Sequence, residues 1–132
     1  MKGLFIVMEG PDGSGKTTQI NLLEQYLKEA GYECLITREP GGTVIGEEVR
    51  ELILNPEYKE MSPVTEMLLY AASRAQLVHE VIGPALEAGR IVISDRFVDC
   101  LSGNCKKSWD FYGSSCKCTR NRYLSSRWDF LY

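Results

Sequence analysis

Eight residues near the N-terminus constrain this chain more than any others: Gly10-Pro11-Asp12-Gly13-Ser14-Gly15-Lys16-Thr17. They fit G-x-x-x-x-G-K-[ST], the phosphate-binding loop or P-loop. The flanks suit it. Leu4-Phe5-Ile6-Val7-Met8 is a short apolar run, as a buried parallel strand requires. Ile20, Leu22, Leu23, Tyr26 and Leu27 then recur at helical spacing. Strand, glycine loop and helix therefore follow in order. The glycines let the backbone approach a phosphate closely. Successive N–H groups then face one concavity, at a helix N-terminus whose dipole favours anions. In such a loop Lys16 reaches the β- and γ-phosphates of a nucleotide such as ATP, and the Thr17 hydroxyl holds Mg²⁺. A chance glycine turn capping a helix is the bland alternative, and the paired strand and helix argue against it.

The rest of the chain extends this pattern. Helix is expected from about Lys16 to Ala30, with Gly31 as its stop. Cys34-Leu35-Ile36-Thr37 reads as a second strand, and Arg38-Glu39-Pro40-Gly41-Gly42-Thr43 as a loop. Val44 to Leu54 reads as a helix ended by Asn55-Pro56. Ser62-Pro63 with Glu66 resembles an N-cap, a first-turn proline and a capping-box acid, opening a helix to about His79. Further helix is expected over Pro84 to Ala88, then a third strand at Ile91-Val92-Ile93, with Ser94-Asp95-Arg96 at its carboxyl end. Strands separated by helices imply a parallel sheet in an α/β fold of the P-loop NTPase type. Ligands in such sheets bind beyond the carboxyl ends of the strands. The P-loop, the Arg38–Thr43 loop and Asp95-Arg96 all fall there.

Composition sets the frame. With 132 residues, 25% charged and 44% hydrophobic, the chain can bury one core. No apolar run approaches the ~20 residues of a membrane span, and no signal-peptide pattern opens the chain. The expected location is the cytoplasm, with no membrane or nucleic-acid partner. The average conceals a break, however. Residues 1–99 carry a net charge of −7, residues 100–132 one of +4, and four of five cysteines and both tryptophans lie from Cys100 onward. Cys116-Lys117-Cys118 lacks the second pair that a zinc site needs.

Four stretches together resemble one family, the bacterial thymidylate kinases. Met8 to Gln19 looks like its P-loop, and Arg38-Glu39-Pro40-Gly41-Gly42-Thr43 is similar to its second motif. Leu69-Tyr70-Ala71-Ala72-Ser73-Arg74-Ala75-Gln76 resembles its thymidine-site helix, and Ser94-Asp95-Arg96-Phe97 its DR motif. The resemblance covers residues 3 to 99. It implies ATP- and Mg²⁺-dependent phosphorylation of dTMP to dTDP, and a homodimer. It also implies residue roles. Asp12 would accept from the sugar 3′-hydroxyl or help the metal shell. Arg38 and Pro40 would line the monophosphate site. Tyr70 would stack on thymine and Arg74 bond the base edge. Arg96 would grip the acceptor phosphate, and Asp95 would join Thr17 near Mg²⁺. Taken alone, Tyr70 and Arg74 are one helical turn apart and could be a surface stack, Arg38-Glu39 could be a surface pair, and Asp95-Arg96 a structural ion pair. His79 is assigned no role. A Ras-like GTPase is disfavoured, since there is no N-K-x-D guanine motif. Two alternatives stay open: another nucleoside or nucleoside monophosphate kinase, and a nucleotide-binding fragment without catalysis.

After Asp99 the chain departs from the family, which continues to Tyr-Gln-Gly, a helix, Pro-Asp before a strand, a basic lid, and a closing strand and helix. On this reading residues 1–99 are a partial kinase domain, without the later strands and lid, and turnover should be poor. An arginine supplied to a GTPase site is worth about 10³–10⁵ in rate, and family members with this P-loop draw theirs from the lid. Residues 100–132 are read as a frameshifted translation. Cys100-Leu101-Ser102-Gly103-Asn104 can be TGC TTA TCA GGG AAT, which one base forward gives Ala-Tyr-Gln-Gly-Ile. Ser125-Ser126-Arg127 can likewise give Leu-Pro-Asp. The competing reading is a divergent basic tail.

Overall fold

The computed structural model describes residues 3–97. The tail expectations of residues 100–132 lie outside the described residues. The elements run β1 (Leu4–Met8), α1 (Lys16–Glu29), β2 (Cys34–Arg38), α2 (Val44–Leu54), α3 (Pro63–Leu77), a π-helical turn (Val78–Ile82), α4 (Gly83–Glu87) and β3 (Ile91–Asp95).

The three strands form one parallel sheet in the order β1-β3-β2. Leu4 to Met8 pair with Ile91 to Asp95, and Cys34 to Arg38 pair with the same five residues from the other side. Met8, Asp95 and Arg38 therefore end level with one another. The alternation of side chains across a strand divides the core into two layers. On one face Ile91 and Ile93 meet Ile20 of α1, with Ile6, Met8, Leu23, Leu27 and Cys34 packed around them. On the other, Val92 packs with Leu77, Ile82, Ala85 and Phe97, joined by Phe5, Val7 and Leu35. β3 is buried along Ile91–Ser94 because strands cover both its edges and helices both its faces. Full burial of each such aliphatic side chain contributes roughly 1.5–3 kcal/mol.

Local signals explain the helix boundaries. Gly31, at φ 86°, follows α1. Thr43 caps α2 by accepting from Gly46 N–H at 2.9 Å. Ser62 caps α3, accepting from Thr65 N–H at 3.1 Å, with Pro63 in the first turn. The expected capping-box role of Glu66 is corrected. Three residues beyond the cap stands Thr65, whose hydroxyl lies 2.9 Å from Ser62 Oγ. The break expected between α3 and the next helix is also corrected. Pro84 has no N–H for the Glu80 carbonyl, and in an α-helix its ring would crowd that oxygen. The chain inserts one π turn, in which Gly83 N–H reaches back to Val78 O, and continues as α4.

Candidate functional site

The site begins where β1 ends. The P-loop turns through Gly13 and Gly15, at φ 77° and 85°, a region that only glycine enters cheaply. Gly15 is also the N-cap of α1, so no side chain caps the helix, and its first turn carries no acid. Both choices keep its N–H groups for an anion. Lys16 Nζ donates to Pro11 O at 3.2 Å, which places the ammonium over the loop.

The loop after β2 is held by α2 and α3. Gly41 N–H donates to the buried Ser73 hydroxyl at 3.0 Å. Gly42 N–H donates to Glu47 Oε1 at 2.8 Å, while Glu47 Oε2 pairs with Arg38 Nη2 at 3.0 Å. These donors hold the Glu47 carboxyl below its ordinary range, the Gly42 N–H first. Arg50 Nη1 donates to Pro40 O at 2.9 Å. Arg38 and Glu39 are not a surface pair. They diverge, Arg38 to Glu47 and Glu39 into the interior at 4% exposure.

Glu39 meets Arg74 there. Arg74 Nε and Nη2 donate to Glu39 Oε2 at 2.8 and 2.6 Å, and Nε also lies 3.1 Å from Oε1. Burial pushes the Glu39 carboxyl up, against the bonds and charge of Arg74, and nearby Glu9 adds to the rise. The guanidinium lies 4.4 Å over the Phe97 ring and donates to Phe97 O. Arg74 thus ties the second loop to the segment after β3.

That segment carries Asp95 and Arg96. Asp95 Oδ1 is buried with no hydrogen-bond partner among the described residues. Arg96 is the one non-glycine described residue at positive φ, 68°. Such a conformation costs about 1–3 kcal/mol and persists only where neighbours impose it. The Arg96 guanidinium pairs with Asp12 of the P-loop. Asp12 is 93% exposed and Arg96 34% exposed along their side chains, so the pair faces open water.

These pieces enclose a cleft of about 590 Å³. Of the residues expected from sequence, Asp12, Gly13, Gly15, Lys16, Thr17, Arg38, Pro40, Tyr70, Asp95 and Arg96 line it. Gly10, Pro11 and Ser14 complete the loop without lining the cleft, and Arg74 stands behind its wall. Glu39, in the Arg38–Thr43 loop expected at the monophosphate site, lines it too, as do Thr18, Arg50 and Leu54, which were not anticipated as site residues. Arg50 and Leu54 sit one turn apart on α2, so helical spacing alone held a faint signal for that face. Thr17 and Asp95 supply a hydroxyl and a carboxylate, the oxygen donors Mg²⁺ prefers, and the orphaned Asp95 oxygen fits such an ion.

Comparison with known proteins agrees with the motifs. A family model described as thymidylate kinase matches residues 8–103. Thymidylate kinases of Exiguobacterium sibiricum and an Exiguobacterium species are 64% and 60% identical over 99 residues, which is 75% of this chain and 47% of theirs. The solved thymidylate kinase of Ehrlichia chaffeensis superposes with a TM-score of 0.67 at 42% identity, over 75% of this chain and 56% of that one. The chain spans about half the length of the curated relatives it matches. A glycine loop, a second loop and an arginine-bearing strand end that converge on one cleft, with this similarity across most of the sequence, place the chain in the thymidylate kinase family.

Proposed function

We propose that the cleft binds ATP and dTMP together and serves transfer of the γ-phosphoryl group to the dTMP phosphate, yielding ADP and dTDP. One observation carries this: a single cavity runs from the P-loop to Tyr70 and Pro40, with Lys16, Arg38, Arg50 and Arg96 along it. Donor and acceptor phosphates would meet among four cations. Phosphoryl transfer needs mainly such positioning and charge neutralisation.

Each residue has a role in this reading. The P-loop N–H groups and Lys16 hold the ATP phosphates. Arg96 and Arg38 hold the acceptor phosphate, with Arg50 beside them. Asp12, now paired with Arg96, would accept from the sugar hydroxyl once the acceptor phosphate draws that arginine away. Tyr70 stacks on the base, with Pro40 across the pocket. Arg74, behind the wall and held by Glu39, would bond the base edge only by turning an N–H into the cleft. Thr17 and Asp95 would hold Mg²⁺, which when bound neutralises charge on the transferring phosphoryl group. Exposed Val44, Ile45, Leu52 and Leu68 on α2 and α3 suit the homodimer that the resemblance implies.

Competitive binding tests the substrate. Calorimetry with dTMP, dUMP and dCMP should rank dTMP tightest, and equal affinities would refute the thymidine assignment. Tyr70→Ala should weaken dTMP by about 1–3 kcal/mol, while Tyr70→Phe keeps the stacking face.

A further inference from the structure

The backbone of Arg96 and Phe97 is held at four points, and one holder is a carboxylate with no role in the reading above. Arg96 N–H donates to Met8 O at 3.0 Å. Its carbonyl accepts from the buried Ser94 hydroxyl at 2.8 Å. The next N–H, that of Phe97, donates to Glu9 Oε1 at 2.8 Å. The Phe97 carbonyl accepts from Arg74. The peptide unit between Arg96 and Phe97 is thus gripped at its oxygen by Ser94 and at its nitrogen by Glu9.

We propose that Glu9 is a positioning residue for Arg96: by accepting the Phe97 N–H it locks the left-handed turn that aims the Arg96 guanidinium across the cleft. The geometry gives the reason. At φ 68° Arg96 would relax to negative φ if its flanking peptides were free to turn. That rotation would swing its side chain away from Asp12 and from the cavity. Met8 alone fixes only the preceding peptide. The following peptide decides the turn, and Glu9 is the charged group on its N–H. A charge-assisted bond of this kind is about twice as strong as a neutral one.

The placement of Glu9 adds a second consequence. It is the residue between the end of β1 and Gly10, the first glycine of the P-loop. The loop that holds the donor phosphates and the arginine that would hold the acceptor phosphate therefore share one strut of a single residue. The two phosphate sites are kept in register without depending on the Arg96–Asp12 pair.

This inference deepens the proposed function and rests on it for the ligand. The test uses the full 132-residue chain, with Glu9→Ala, Glu9→Gln, Arg96→Ala and the double variant. Glu9→Ala should weaken dTMP about tenfold and leave thymidine, which lacks the phosphate, unchanged. Glu9→Gln keeps an acceptor oxygen and should retain most of the affinity. Adding Glu9→Ala to Arg96→Ala should cost nothing more. Full additivity, or a Glu9→Ala loss equal for dTMP and thymidine, would overturn the proposal. A readout without ligand separates its failure from failure of the functional reading. The Phe97 amide should resist hydrogen exchange in the parent and in Glu9→Gln, and exchange readily in Glu9→Ala. Undiminished protection in Glu9→Ala overturns the positioning role whether or not dTMP binds.

Discussion

Arg74 grips Glu39 with two nitrogens, Nη2 at 2.6 Å and Nε at 2.8 Å from Oε2, across 35 residues of chain. The side chains are 15% and 2% exposed, so neither charge is well hydrated. The pair joins the loop after β2 to α3 and, through Phe97 O, to the end of β3. The loop, the helix and the strand end on that side of the cleft meet at one guanidinium.

Arg74→Ala should therefore cost stability as well as nucleotide affinity. It strands a buried carboxylate, which typically costs about 3–5 kcal/mol. The pH dependence has a definite sign. Glu39 titrates above its ordinary value in the folded chain. Its contribution is complete below the unfolded pKa and is lost as pH rises through the folded one. Without Arg74 the two influences that lower that pKa vanish, and burial and Glu9 raise it further. Urea unfolding should show the Arg74→Ala deficit larger near pH 8 than near pH 5. An equal deficit at both would mean that Glu39 is not the stranded group.

Two glycines at similar φ should respond differently to alanine. At Gly42, φ 83°, an added Cβ would lie 2.6 Å from Thr37 Oγ1 and 2.7 Å from Leu77 Cδ1. At Gly31, φ 86°, it would meet nothing within 4 Å. Gly31→Ala should cost only the backbone strain, about 1 kcal/mol. Gly42→Ala adds overpacking of about 1–3 kcal/mol and displaces the second loop. Equal melting temperatures for the two variants would rule out a close approach of the loop to α3.

Lys16→Ala should abolish ATP binding and leave folding intact. The side chain bonds only Pro11 O among the described residues, so little packing is lost. Titration with a fluorescent ATP analogue reads the affinity, and thermal unfolding reads the fold. Retained ATP affinity would remove the P-loop from the proposed function.

The gene decides the origin of residues 100–132. We propose that residues 1–99 are part of a kinase domain and that the remainder is translated out of frame. The nucleotides after the Asp99 codon should encode Tyr-Gln-Gly and, some twenty codons on, Pro-Asp in the neighbouring frame. Their absence would leave a divergent basic tail as the explanation of the charge reversal.

The sequence by itself determined the elements that depend on near neighbours. The P-loop, the cap at Ser62, the stop at Gly31 and the apolar runs of β1 and β3 all act within a few residues, so spacing reveals them. Even the alternation that splits Ile93 from Val92 between two layers follows from strand geometry. The tertiary structure alone decided what lies between distant residues. It set β3 between β1 and β2, because a parallel crossover can return the chain to either side of a strand. It took Glu39 from a loop that looked solvated and buried it on Arg74. It brought Arg50 from α2 to Pro40, and Glu9 to Phe97 across 88 residues. No local pattern names the partners of these charges, because each pairing is stable only once the sheet has brought the two within hydrogen-bond reach.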